Sequence, residues 1–133
     1  MLIGLQILMT ANHKKQATVA TSSSEAEYIA LSAAASETIW LRGILEDMNV
    51  LDKNYVVPIF ENNHGCIFMS KNTECKRSKH IDVKYHFLRD HVASGLLKVV
   101  AVSSENQKAD IFTKSLATAQ FQKFRNQLKL LLD

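Results

Sequence analysis

The sequence predicts an α/β fold, a mixed sheet flanked by helices, and three observations predict it. An alanine-rich stretch of helical period runs from the serines at 22–24 to about Met48. Two short β-branched runs, Tyr55–Phe60 and Leu96–Val102, alternate with helical segments, which is the order of a layered α/β domain. The second run, LLKVVAV, is apolar almost without a break, as in a strand covered on both faces.

The N-terminal Leu2–Met9 is apolar but short, so it is read as a strand or the remnant of one. The first long helix opens at Ser22–Ser24, where Ser22 with Glu25 and Ser24 with Glu27 both match the capping-box spacing. Ala30, Ala33, Leu41, Ile44, Leu45 and Met48 recur at three- and four-residue steps and are expected to form its inner stripe, with Trp40 packed beside them. Pro58 places the Tyr55–Phe60 strand at an edge or gives it an irregular start. A helix is expected from Asn63 to Lys71, then a basic loop through Lys79. A third helix, His80 to about Ser94, shows Ile81, Tyr85, Leu88 and Val92 on one stripe and has Gly95 as its C-terminal cap. After the Leu96–Val102 strand, Ser103 and Ser104 offer caps for a helix carrying Asp110. Phe121, Phe124, Leu128 and Leu131 mark a last helix.

With 133 residues, 47% of them hydrophobic and 22% charged, the chain holds one ordinary core, and residues 1–133 are read as a single domain. Cys66 and Cys75 are too few for a disulfide scaffold, and with no secretory signal or membrane span they fit an intracellular protein of the nucleus or cytoplasm. A net charge of +3 is too small to announce a nucleic-acid binder by itself. The positive charges are concentrated, however: Lys76, Arg77, Lys79, Lys84 and Arg89 lie in and beside the third helix, as a solvated helix face or a phosphate-contacting patch. Cys66, Cys75, His80 and His86 match no common zinc-ligand spacing, and His13, His64 and His91 are isolated.

Glu25 and Glu27 are two residues apart on a helix, so they point in nearly opposite directions. Glu27 shares a side with Leu31 and Ala34 and is expected to face inward, whereas Glu25 lies in line with Ile29 and Ser32. A buried carboxylate needs a partner or a metal; a capping-box glutamate is the plainer reading. Asp110 at a helix start is favoured by the helix dipole without any function, and Lys114 one turn on is a sufficient ion-pair partner.

Three segments taken together go further: SSSEAEYIALSAA from Ser22, IFENNHGCIF from Ile59 and ENQKADIFTKSL from Glu105, joined by KHIDVKYHF from Lys79. In this order, over about residues 14–130, they resemble the ribonuclease H domain of copia-type retrotransposon Pol polyproteins. The resemblance implies a ribonuclease H-like fold whose N-terminal strands are incomplete here. It also implies four carboxylates holding two Mg²⁺ ions about 4 Å apart for hydrolysis of RNA in an RNA:DNA hybrid. Glu27 and Asp110 match two of the four and would be the metal ligands. Asn62 stands where the family has an aspartate, and the first aspartate would lie on a strand before Met1. A carboxamide is a weaker ligand that leaves the ion's charge in place. Glu61 would reach the site only if its strand slipped by one residue, because successive strand residues face opposite sides. The resemblance therefore implies a catalytically inactive remnant. The alternatives are an active ribonuclease H within a larger polyprotein, or a non-catalytic module binding nucleic acid or the reverse-transcriptase region.

Overall fold

The computed structural model describes residues 23–71 and 79–129. The elements run α1 (Ser23–Asp47), β1 (Val57–Glu61), α2 (His64–Lys71), α3 (Lys79–Ala93), β2 (Leu97–Ala101), two short 3-10 turns (Ser104–Asn106 and Lys108–Phe112) and α4 (Thr118–Gln127). Among the described residues the sheet is β1 paired with β2, parallel, with Val57 opposite Leu97 and Glu61 opposite Ala101. The mixture of helices with a parallel pair is compatible with the predicted α/β class. The expected Leu2–Met9 strand, the Ser22 cap and the side chains of Lys76, Arg77, Lys79 and Ile81 lie outside the described residues.

The Val57 N–H donates to the Leu96 carbonyl and the Val102 N–H donates to Glu61, so the odd-numbered residues of β1 carry the bonds to β2. Pro58 consequently turns its donorless nitrogen to the other edge, where no ladder bond is lost among the described residues. Val57, Ile59, Leu97 and Val99 are buried on one face beneath α1, α2 and α3. The other face is less well covered: Lys98 is exposed and Val100 is half-buried. That corrects the expectation of a strand covered on both sides. An apolar run shows capacity for burial, but the three helices all pack against the same face.

Tyr28, Leu31 and Ala35 of α1, Cys66, Ile67 and Met69 of α2, and Tyr85 and Leu88 of α3 complete the core. Asn63 caps α2, its Oδ1 accepting from the Cys66 N–H at 3.0 Å. Gly95 ends α3 as expected, at φ +75, while the Leu96 N–H reaches back to the His91 carbonyl at 3.1 Å.

The register of α1 differs from the one expected. Its buried line is Glu25, Tyr28, Ile29, Ser32, Ala35, Thr38 and Arg42, with Leu31 beside it. Ile44 and Met48 are exposed, and Trp40 is 65% exposed rather than packed. With alanines on every side the helix has little polar contrast to mark its inner face. Long-range bonds fix it: Ser32 Oγ donates to the Lys84 carbonyl at 3.3 Å, and Arg42 Nη2 donates to the carbonyls of Lys53 and Tyr55.

The segment carrying Asp110 is a pair of 3-10 turns rather than a helix, and neither has a side-chain cap. Gln107 separates them in extended conformation, its Nε2 donating to the Phe60 carbonyl at 3.3 Å. α4 buries Phe124 completely but leaves Phe121 44% exposed.

Candidate functional site

At the C-terminal end of β1, the N-terminal half of α1 and the second 3-10 turn enclose a polar pocket of about 170 Å³. α1 contributes Glu27 and Ala30, one turn apart on the same face. β1 contributes Glu61, and Asn62 follows it. Gln107, Asp110 and Thr113 come from the second turn and its flanks. Asp110 lies within the turn, while Gln107, in extended conformation, and Thr113 flank it on either side. The pocket thus contains Glu27, Asn62 and Asp110, which are far apart in sequence.

Two expectations about the acids are corrected. Glu27 borders the pocket but is exposed, whereas Glu25 is the buried one, at 3% exposure. Glu61 reaches the pocket without any slip of the strand. It is the last residue of β1, and the chain turns at Asn62, so strict alternation no longer separates the two side chains. Glu61 is 2% exposed. Its Oε1 accepts from the backbone N–H groups of Asn62 and Asn63 at 2.9 and 2.8 Å, which fastens the turn into α2. Burial raises the Glu61 carboxyl above its ordinary value and the nearby Glu27 charge adds to this; the two backbone donors oppose the shift. Burial likewise pushes the Cys66 thiol strongly upward, helped by Glu61 and Glu27, so the thiol stays protonated.

Asp110 is buried, and Lys114 Nζ donates to its Oδ2 at 2.9 Å. Asn62 Nδ2 donates to Ser104 Oγ at 3.4 Å. These commitments bear directly on Mg²⁺. Asp110 already faces an ammonium, one Glu61 oxygen already serves two backbone donors, and Asn62 is neutral. Among the described residues no three His, Cys, Asp or Glu side chains are grouped closely enough to hold a metal ion. Among the described residues, the donors of this pocket do not by themselves fit a pair of Mg²⁺ ions. Sequence reasoning missed Gln107 and Thr113. Their positions three residues to either side of Asp110 were the available signal.

Of the basic residues, Lys84 is exposed on α3, while Arg89 is partly buried with its guanidinium 5.4 Å from the centroid of the Tyr85 ring. No helix among the described residues is long and apolar enough to cross a membrane.

The chain is similar to retrovirus-related Pol polyproteins of plant transposons. It is 39% identical over 110 residues, 82% of its length, to the polyprotein of transposon TNT 1-94 of Nicotiana tabacum. It is 37% and 38% identical over 116 residues, 86% of its length, to those of transposons RE2 and RE1 of Arabidopsis thaliana. The chain spans 8% of the length of each of these relatives. No protein-family model and no solved structure matches it at a significant level.

Proposed function

We propose that this chain is a ribonuclease H-like piece of a copia-type retrotransposon Pol polyprotein, one whose pocket does not cleave RNA:DNA hybrids. The observation that carries this is the meeting of Glu27, Asn62 and Asp110 in one pocket. These are the positions at which the chain matches copia-type motifs, and a neutral carboxamide stands among them where the motif has an acid. The three relatives named above, each a Pol polyprotein, support the polyprotein part of the reading.

In an active enzyme of this class, bound Mg²⁺ supplies an activated water and stabilises the leaving oxygen. Here Lys114 neutralises Asp110 and Glu61 holds the β1–α2 turn, so the polar groups of the pocket serve the fold. Lys76, Arg77, Lys79, Lys84 and Arg89 would give weak, sequence-independent affinity for nucleic acid, and the reverse-transcriptase region of a polyprotein is the natural protein partner. Hybrid cleavage by the unmodified chain beside a Glu27→Ala control tests the reading. The expected result is no Mg²⁺- or Mn²⁺-dependent cleavage by either. Robust cleavage that vanishes in the control would overturn it.

A further inference from the structure

The outer face of α1 carries a line of large apolar side chains that the core does not use. Trp40 and Ile44 on α1 and Met48 just past its end follow one another at four-residue steps and are 65%, 36% and 64% exposed; Val50, two residues on, is 53% exposed. They stand opposite the buried Thr38 and Arg42, so no rotation of the helix could bury both lines. Exposed apolar residues in one row, with a tryptophan at one end, have the character of a contact surface. Their surroundings are acidic. Residues 37–53 carry four acids against two bases, and one base, Arg42, is turned inward and paired with Glu46.

The other end of the chain presents the opposite pattern. Phe112 and Phe121 are 48% and 44% exposed on the second 3-10 turn and α4, two elements packed together. Residues 105–129 carry five bases against two acids, and one of the acids, Asp110, is already held by Lys114. Each surface thus has exposed apolar residues and a net charge opposite to the other's. Surfaces of opposite charge around apolar centres steer and hold a complex together. On a single molecule they lie on different elements and leave their exposed residues uncovered. Two molecules can satisfy them.

We infer that this chain associates with a second copy of itself head to tail, the acidic Trp40–Ile44–Met48 row of one molecule docking against the basic Phe112–Phe121 surface of the next. Such a contact is heterologous and leaves one surface free at each end of a dimer, so assembly continues with concentration. This inference is independent of the nuclease reading.

Sedimentation velocity over a range of concentrations tests it. The unmodified chain is expected to form a concentration-dependent series of oligomers that weakens as salt rises from about 0.05 to 0.5 M. Trp40→Glu and Phe121→Glu change exposed residues, and each is expected to weaken association roughly tenfold or more. Their circular dichroism should match that of the parent. Mixed together, the two variants should form a heterodimer that goes no further, since each retains the surface the other has lost. A monomer at every concentration would overturn the inference. So would oligomers that both variants leave intact, or variants that weaken assembly but fail to complement each other in the mixture.

Discussion

Tyr28 and Tyr85 stack ring on ring, with centroids 4.0 Å apart and planes inclined by 19°. The pair joins α1 to α3 through the core. Tyr28 Oη also donates to the Tyr85 carbonyl at 3.4 Å, and Tyr85 Oη donates to Met69 Sδ at 3.0 Å, so one contact ties three helices together. Tyr28→Phe keeps the stack and loses a long hydrogen bond, and is expected to cost about 1 kcal/mol. Tyr28→Ala removes the ring and opens a cavity, at about 3–5 kcal/mol. Urea unfolding of the two variants beside the parent chain measures both.

Arg42 is buried, ion-paired with Glu46, and bonded through Nη2 to the carbonyls that close the α1–β1 connection. Arg42→Met keeps much of the stem but leaves those carbonyls unsatisfied. The expected loss is about 2–4 kcal/mol, with hydrogen exchange rising at residues 52–56 before the rest of the chain.

Glu61 gives stability a pH dependence whose sign follows from its raised pKa. The unfolded chain ionises this carboxyl near 4.5, while the folded chain does so only at higher pH. In that interval the unfolded state holds fewer protons. Stability attributable to Glu61 is therefore complete below the ordinary value and is lost as pH rises through the folded value. Glu61→Gln keeps an oxygen to accept from Asn62 and Asn63 and removes the titration. It is expected to flatten the decline just above pH 4.5 by at most about 1.4 kcal/mol per pH unit. Thermal melts of both chains across that range supply the comparison, and an unchanged slope would show that Glu61 does not titrate there.

Asn62→Asp brings the residue into line with the copia-type motif, but it adds a charge beside Glu61 and Glu27. The variant is expected to lose about 0.5–1 kcal/mol of stability and to remain inactive on RNA:DNA hybrid with Mg²⁺. Cleavage by the single variant would mean that the pocket needs one carboxylate fewer than the two-metal scheme demands.

For nucleic acid, replacing Lys76, Arg77 and Lys79 by alanine is expected to weaken hybrid binding and flatten its salt dependence. On α3, Lys84→Ala should reduce the slope more than Arg89→Ala, because Lys84 is exposed and Arg89 lies against Tyr85. Filter binding at several salt concentrations separates these cases, and equal slopes for all variants would reduce the patch to a solvated surface.

Much of the element order was legible because it depends on local signals. Gly95 marked a helix end, Pro58 an edge, and the apolar runs both strands. What local signals could not supply was rotation and termination. The inner face of α1 was misjudged because alanine fits either side of a helix, and the polar residues Glu25, Ser32, Thr38 and Arg42 are buried only where other elements cover them. The segment around Asp110 looked helical, yet Gln107 is drawn out to bond Phe60 across forty-seven positions of sequence and breaks the run into two turns. The meeting of Glu27, Asn62 and Asp110 was anticipated through motif order. Glu61 was set aside by a rule of strand alternation that fails at the residue where the strand stops.

The parallel pairing of β1 with β2 sets a timetable for folding. Strand partners in this arrangement are separated by all of residues 62–96, which must be gathered in before the first ladder bond can close. During synthesis at about 5–20 residues per second, β1 therefore emerges seconds before its partner exists. Over that interval Val57 and Ile59 lack the strand that later pairs beside theirs, and among the described elements only helices can shelter them. A pause between the emergence of the two strands would hold the nascent chain with one strand made and its neighbour still unwritten.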